Sequence, residues 1–223
     1  MISLFAASLL LLLLLANAAD PDPLQDHCVA DLDSEIQVNG FPCKPSENTT
    51  ASDFKFSRLA NRGNTNNELG LWITRASVEE FPGVNTMGLS SARADYAAKY
   101  GMNPPHVHPR ASETFYLFEG DLMYVGFVDT DYKLYATYLT CGDLFVFPRG
   151  LVHFQLNVGR NPASAFVSFN SQRPGLLHVN RGLFATDPPV LDEVLTRSFA
   201  ISEEMLKIMR GEIEEQFEGT NID

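Results

Sequence analysis

The chain has 223 residues, 45% hydrophobic, 11% aromatic and 20% charged, a balance that supports a buried core and excludes a disordered tail. Its formal net charge of -12 argues against nucleic acid or an anionic membrane surface as partner, because both need clustered Lys and Arg to displace counterions. All-β barrels commonly run to about 200–250 residues as one unit, so a single folded domain is expected.

The first segment, "MISLFAASLLLLLLLANAAD", ends in Ala16-Asn17-Ala18, the small-x-small pattern of a signal-peptidase site. Residues 1–18 read as a secretory signal cut near Ala18 or Ala19, although no Lys or Arg precedes the leucines. The run from Leu4 to Ala16 is too short to span a bilayer core of about 30 Å, and no other segment approaches that length. A soluble, secreted mature protein follows.

Residues 19–70 read as a polar, irregular N-terminal extension. An oxidising exterior lets thiols pair, and Cys28 with Cys43 is the simplest of the choices open to three cysteines. Closing that loop would stabilise the fold by about 3 kcal/mol in the chain-entropy model. Cys141 is left odd and is expected as a small buried hydrophobe. Asn48-Thr49-Thr50 is a glycosylation sequon in a polar segment, so Asn48 is expected on a surface loop.

From 71 to 187 short runs of β-branched and aromatic residues are broken by Gly, Pro, Asn and Asp. Strands are predicted at Leu71–Ala76, Met87–Tyr96, Thr114–Phe118, Leu122–Val128, Leu134–Leu139, Leu144–Phe147, His153–Val158 and Ala165–Phe169. Many short strands at close spacing imply a sandwich or barrel, which also removes exposed edges. The alternation Phe115, Tyr116, Phe118 reads as barrel wall. In 188–223 the period changes: Leu206, Met209, Ile213 and Phe217 share one helical face behind Ser202 as N-cap, and a shorter helix is predicted over Val190 to Phe199. That face must pack on the barrel or on another subunit, so a homo-oligomer is expected.

The chemistry concentrates in "NPPHVHPRASETFYLFEG". On an extended strand His106 and His108, at i and i+2, point to one side, and "PRASE" turns the chain to deliver Glu113 at the start of the next strand. A His-x-His pair is weak evidence alone. His153, after the Pro-Arg-Gly turn of "CGDLFVFPRGLVHFQLNVG", would complete three nitrogens and one oxygen. His27 and His178 read as structural or exposed, and Asn157 either orients groups around the site or ends a strand.

These two stretches resemble the paired motifs of the cupin superfamily: His-x-His, four residues, Glu, six residues, Gly; then Gly, five residues, Pro-x-Gly, two residues, His, three residues, Asn. Tyr100 stands where the first motif usually opens with Gly, with Gly101 directly after it. Within the superfamily the chain resembles the germin-like proteins of plants, through "DPDPLQDHCVADL", "FPCKP", "NPPHVHPRASE", "FVFPRGLVHFQLNVG", "SFNSQRPG" and "DPPVLDEVLTRSF". The resemblance implies an all-β cupin jelly-roll β-barrel with C-terminal α-helices and one manganese ion per chain on His106, His108, Glu113 and His153. It also implies a Cys28–Cys43 disulfide, a hexamer built as a trimer of dimers clasped by those helices, and an apoplast or cell-wall location.

Three functions are then in view. Superoxide dismutation asks only for an open metal site, against which the negative net charge counts unless Arg93 or Arg149 reshapes the local field. Oxalate oxidation, the activity of true germins, needs polar groups around a small dianion. Asn103 matches one of the family's asparagines, but Ala92 replaces the other and cannot donate an amide hydrogen bond. A non-enzymatic, metal-stabilised glycoprotein of the cell wall is the third, since fold does not fix function.

Overall fold

The computed structural model describes residues 25–36 and 40–221. The signal segment and its cleavage point lie outside them. Ten strands follow in order: β1 (Leu71–Ala76), β2 (Ser90–Tyr96), β3 (Met102–Val107), β4 (Glu113–Glu119), β5 (Met123–Val128), β6 (Leu134–Leu139), β7 (Leu144–Phe147), β8 (His153–Asn157), β9 (Ala163–Phe169) and β10 (Leu177–His178). They form two five-stranded sheets, β1-β2-β9-β4-β7 and β10-β3-β8-β5-β6, in which all paired strands are antiparallel. This is the expected jelly roll.

Period-two alternation builds its interior. Phe115, Leu117, Met123 and Val125 are fully buried in one core, and each such side chain contributes about 1.5–3 kcal/mol by leaving water. Tyr116 and Phe118, on the opposite face of β4, are exposed, so only Phe115 of that aromatic run serves the core. β2 begins three residues later than predicted because Thr86 and Gly88 both adopt φ +64°, which breaks the extended chain ahead of Ser90.

Strand β3 carries His106 on extended chain, as the i, i+2 reading of the histidine pair expected, although no bounds were predicted for it. Pro104 and Pro105 remove two ladder donors, and its pairing with β8 lapses between Asn103 and His106. Strand β10 has two residues, too few for a sequence pattern.

The disulfide joins Cys28 to Cys43. The N-terminal segment is irregular, as expected, but Ala30 and Phe41 pack against Val78, Phe81 and Val84 of the connection between β1 and β2 in a small second core. Asn48 is exposed at the end of a short turn, and the His27 ring meets Phe54 edge-on. The expectation for Cys141 fails: it is exposed, because Asp143 caps the Thr140 backbone and hydroxyl and places the cysteine in the turn between β6 and β7.

Three helices follow the barrel: α1 (Arg181–Phe184), α2 (Asp192–Phe199) and α3 (Glu203–Phe217). Ser202 caps α3 by accepting from the Met205 backbone at 3.1 Å. The predicted face packs inward, with Leu206 and Met209 against Phe184 and Leu195, and with Ile213 and Phe217 against the barrel core.

Candidate metal centre

Three strands and one turn bring the four predicted ligands together. His106 pairs with His153 across β3 and β8, while Glu113 opens β4 opposite Phe147 and Phe169. His108 lies just beyond β3, two residues from His106 and on the same side. All four are buried, and one ligand atom from each lies within 4.8 Å of the others.

Each imidazole is oriented from behind. His106 Nδ1 lies 2.7 Å from the Pro104 carbonyl, His153 Nδ1 lies 2.8 Å from the Leu151 carbonyl, and His108 Nδ1 meets the Gly175 carbonyl. A carbonyl only accepts, so each ring carries its proton on Nδ1 and turns an Nε2 lone pair inward. Glu113 Oε2 stands 3.0 Å from His108 Nε2 and 3.2 Å from His153 Nε2. Neutral rings thus present acceptors to a carboxylate, an arrangement that a cation between them resolves.

The electrostatics agree. Burial pushes His106 well below the usual imidazole range, and the neighbouring His153 and His108 push it the same way, so the ring stays neutral. Burial alone would raise the Glu113 carboxyl, but hydrogen bonds and charge from His108 and His153, available when those rings also carry a proton on Nε2, outweigh it and hold the carboxyl well below the carboxylate range; a metal ion would take the place of those protons. Three neutral imidazoles and one ionised carboxylate suit a first-row divalent metal ion and leave coordination positions open.

The cupin family model matches residues 57–207. Over 184 residues the chain is 53% identical to Germin-like protein 1-1 of Oryza sativa subsp. japonica, covering 82% of this chain and 83% of that protein. The chain belongs to the germin-like proteins of the cupin superfamily. It is also 48% identical over 209 residues to Germin-like protein 1-3 of the same plant, covering 92% of this chain and 93% of the relative. Among solved structures, a recombinant oxalate oxidase in complex with glycolate superposes with a TM-score of 0.84 at 42% identity, covering 87% of this chain and 98% of that one.

In this germin-like chain His108 and Glu113 border a cavity of about 470 Å³. Asn103 lines it, its amide 3.4 Å from His106 Nε2 and its carbonyl oxygen 3.3 Å from His178 Nε2. His178 is therefore buried beside the cluster. Ala92 also faces this cavity. Two residues the sequence reading missed do so as well: Gln155, whose Nε2 lies 3.4 Å from Glu113 Oε1, and Tyr96. The signal was available in the alternation of β8, which places Gln155 on the same face as His153.

Of the readings offered for the surroundings, the strand-end reading of Asn157 holds and the field-shaping roles of Arg93 and Arg149 do not. Asn157 does not reach the cluster; its amide holds the Ala97 and Asn161 carbonyls and its oxygen takes the Gly159 N–H, which makes it a strand-end residue. Arg93 points to the other face of β2, where Asp95 and the Leu59 and Ala60 carbonyls hold it. Arg149 is exposed outside the cavity, its Nε donating to the Pro109 carbonyl. The cations at the cavity are Arg75, Arg110 and Arg173. Arg173 pairs with Glu79 at 2.8 Å, whereas Arg110 donates Nε to the Arg173 carbonyl and has no carboxylate partner among the described residues.

Proposed function

We propose that this is a secreted germin-like protein that binds one manganese ion per chain through His106, His108, Glu113 and His153 and dismutes superoxide outside the cell. The observation that carries the reading is the set of three carbonyls fixing three Nε2 lone pairs around one ionised carboxylate. Bound manganese, alternating between two oxidation states, would supply the one-electron chemistry that oxidises one superoxide and reduces the next. The preference for manganese rests on the family, because the usual stability order places copper and zinc higher. Buried carbonyl contacts hold the ligand rings in place, and Arg110 adds positive charge at the mouth of an acidic protein.

Oxalate oxidation is the second reading, favoured by the likeness to an oxalate oxidase and by Asn103 at the cavity. Against it stands Ala92, which lines the same cavity without a donor. Secretion is supported by the disulfide and the leader-like first segment, and a glycan on Asn48 by its exposure. Assembly as a hexamer, a trimer of dimers, is supported by apolar side chains left exposed on the helices, among them Val194, Phe199, Met205 and Ile208.

The test is to purify the secreted protein, quantify its metal, and assay superoxide and oxalate consumption beside a His108→Ala control, with sedimentation for the assembly. Full manganese occupancy and superoxide consumption lost in the control are expected. Equal superoxide activity in the control overturns the dismutase reading, and oxalate turnover by the unaltered chain reverses the ranking.

A further inference from the structure

The cavity beside the cluster is too large for superoxide alone. At about 470 Å³ it falls in the range of small-molecule sites. Its shape follows from β2, whose inward positions read Ser90, Ala92, Ala94 and Tyr96. Ser90 is level with Glu113, because both pair with Phe169. Two successive alanines leave an apolar channel that leads from the level of the cluster along Val167 toward Tyr96.

Two polar groups open on this cavity without protein partners. Tyr96 is 1% exposed, lines the cavity and meets the Phe115 ring edge-on, and no protein partner of its hydroxyl is seen among the described residues. Gln155, also 1% exposed, has an Oε1 acceptor with no partner among the described residues. The Gln155 oxygen is a buried acceptor left unmade, which is costly, so a ligand that donates to it gains affinity, and Tyr96 offers a hydroxyl on the same cavity. A hydroxyl both accepts and donates, whereas a second carboxylate would meet the Gln155 oxygen and the Glu113 charge with acceptors only.

We propose that this cavity binds a small hydroxylated aliphatic carboxylic acid, with its carboxylate toward the metal cluster and Asn103, its body along Ala92, Ala94 and Val167, and its hydroxyl on Tyr96. The inference rests on the metal-site reading above. Burial, with the Glu113 and Asp95 charges, keeps the phenol protonated and able to donate. About four to six carbons suit the volume.

Isothermal titration of the manganese-loaded protein with 4-hydroxybutyrate, 5-hydroxypentanoate and 6-hydroxyhexanoate, each against its unhydroxylated parent, tests this. At least one hydroxy acid binds the unaltered chain about tenfold more tightly than its parent. In Tyr96→Phe, which keeps the ring and removes one hydroxyl, that preference falls to within about twofold while the parent acid binds as before. No preference in the unaltered chain, or a preference that survives in Tyr96→Phe, overturns the inference. Metal content on the same samples separates the two readings. Loaded protein that takes neither acid overturns this inference alone, and protein that loads no metal overturns the metal-site reading and this inference with it.

Discussion

Gly175 fixes His108: its carbonyl meets the Nδ1 of the imidazole whose Nε2 faces Glu113. The glycine is required there twice over. Its φ is +71°, and a Cβ would stand 2.7 Å from the Arg110 guanidinium, which is itself tied down where Arg110 Nε donates to the Arg173 carbonyl. Gly175→Ala is therefore expected to shift the carbonyl and lower metal affinity about 10–100-fold, the usual cost of losing a group that orients a ligand. Metal titration measures it. Removing the clash with Arg110→Ala in the same background recovers part of the affinity, and the residue of the loss reports the left-handed backbone, which costs about 1 kcal/mol or more for alanine.

Glu113→Gln separates stability from binding. In the metal-free protein the carboxylate confronts inward lone pairs, whereas a glutamine amide can donate to them at the same distances. The variant without metal is expected to melt at the same temperature as the parent or higher. With manganese the order reverses, because the one anionic ligand is gone. Melting curves with and without added metal read both effects, and a metal-dependent rise in Glu113→Gln equal to that of the parent would remove the carboxylate from the ligand set.

Much of this site was legible because metal ligation leaves a rigid spacing. The i, i+2 relation of His106 and His108 and the placement of His153 after a Pro-Arg-Gly turn survive in any strand register that buries one face. The surroundings were less legible for a physical reason: a residue's neighbours across a barrel depend on pairing that one strand does not encode. Arg93 is one position from Ala92, yet alternation sends one side chain outward and the other to the cavity. Asn157 is two positions from the cavity-lining Gln155 and on its face, but by then the strand has reached the Gly159 turn. Tyr96 was not singled out, because only the folded barrel shows that β2 carries two alanines between it and the level of the cluster.

His178 gives an acid limb to stability. Burial, then the nearby Arg181 and His108, lower it from 6.5 to about 4. Between those values the unfolded chain binds the proton and the folded chain does not, so stability rises with pH through the window and falls as pH drops from about 6.5 to about 4. Below that both states are protonated and the slope vanishes. The full contribution is roughly 3 kcal/mol. His178→Gln keeps a donor for the Asn103 oxygen but does not titrate, so denaturant unfolding of the two metal-free proteins should show a shallower acid limb in the variant. His106, buried and neutral, contributes in the same direction in both proteins and cancels in the comparison.

Ala92→Asn asks whether one missing donor separates this chain from oxalate chemistry. Position 92 lies opposite Val167 in register and faces the cavity, so the added amide projects into open volume and does not overpack the core. Asn103 already supplies one amide to the same space, and a second would give a small dianion two neutral donors. The variant is expected to bind oxalate about tenfold more tightly than the parent, with metal content unchanged. Turnover is the stricter measure: hydrogen peroxide formed from oxalate by Ala92→Asn and not by the parent would place the specificity in this side chain. Tighter oxalate binding without peroxide would mean that the amide orients the substrate while another cavity residue, Gln155 or Tyr96, governs whether it reacts.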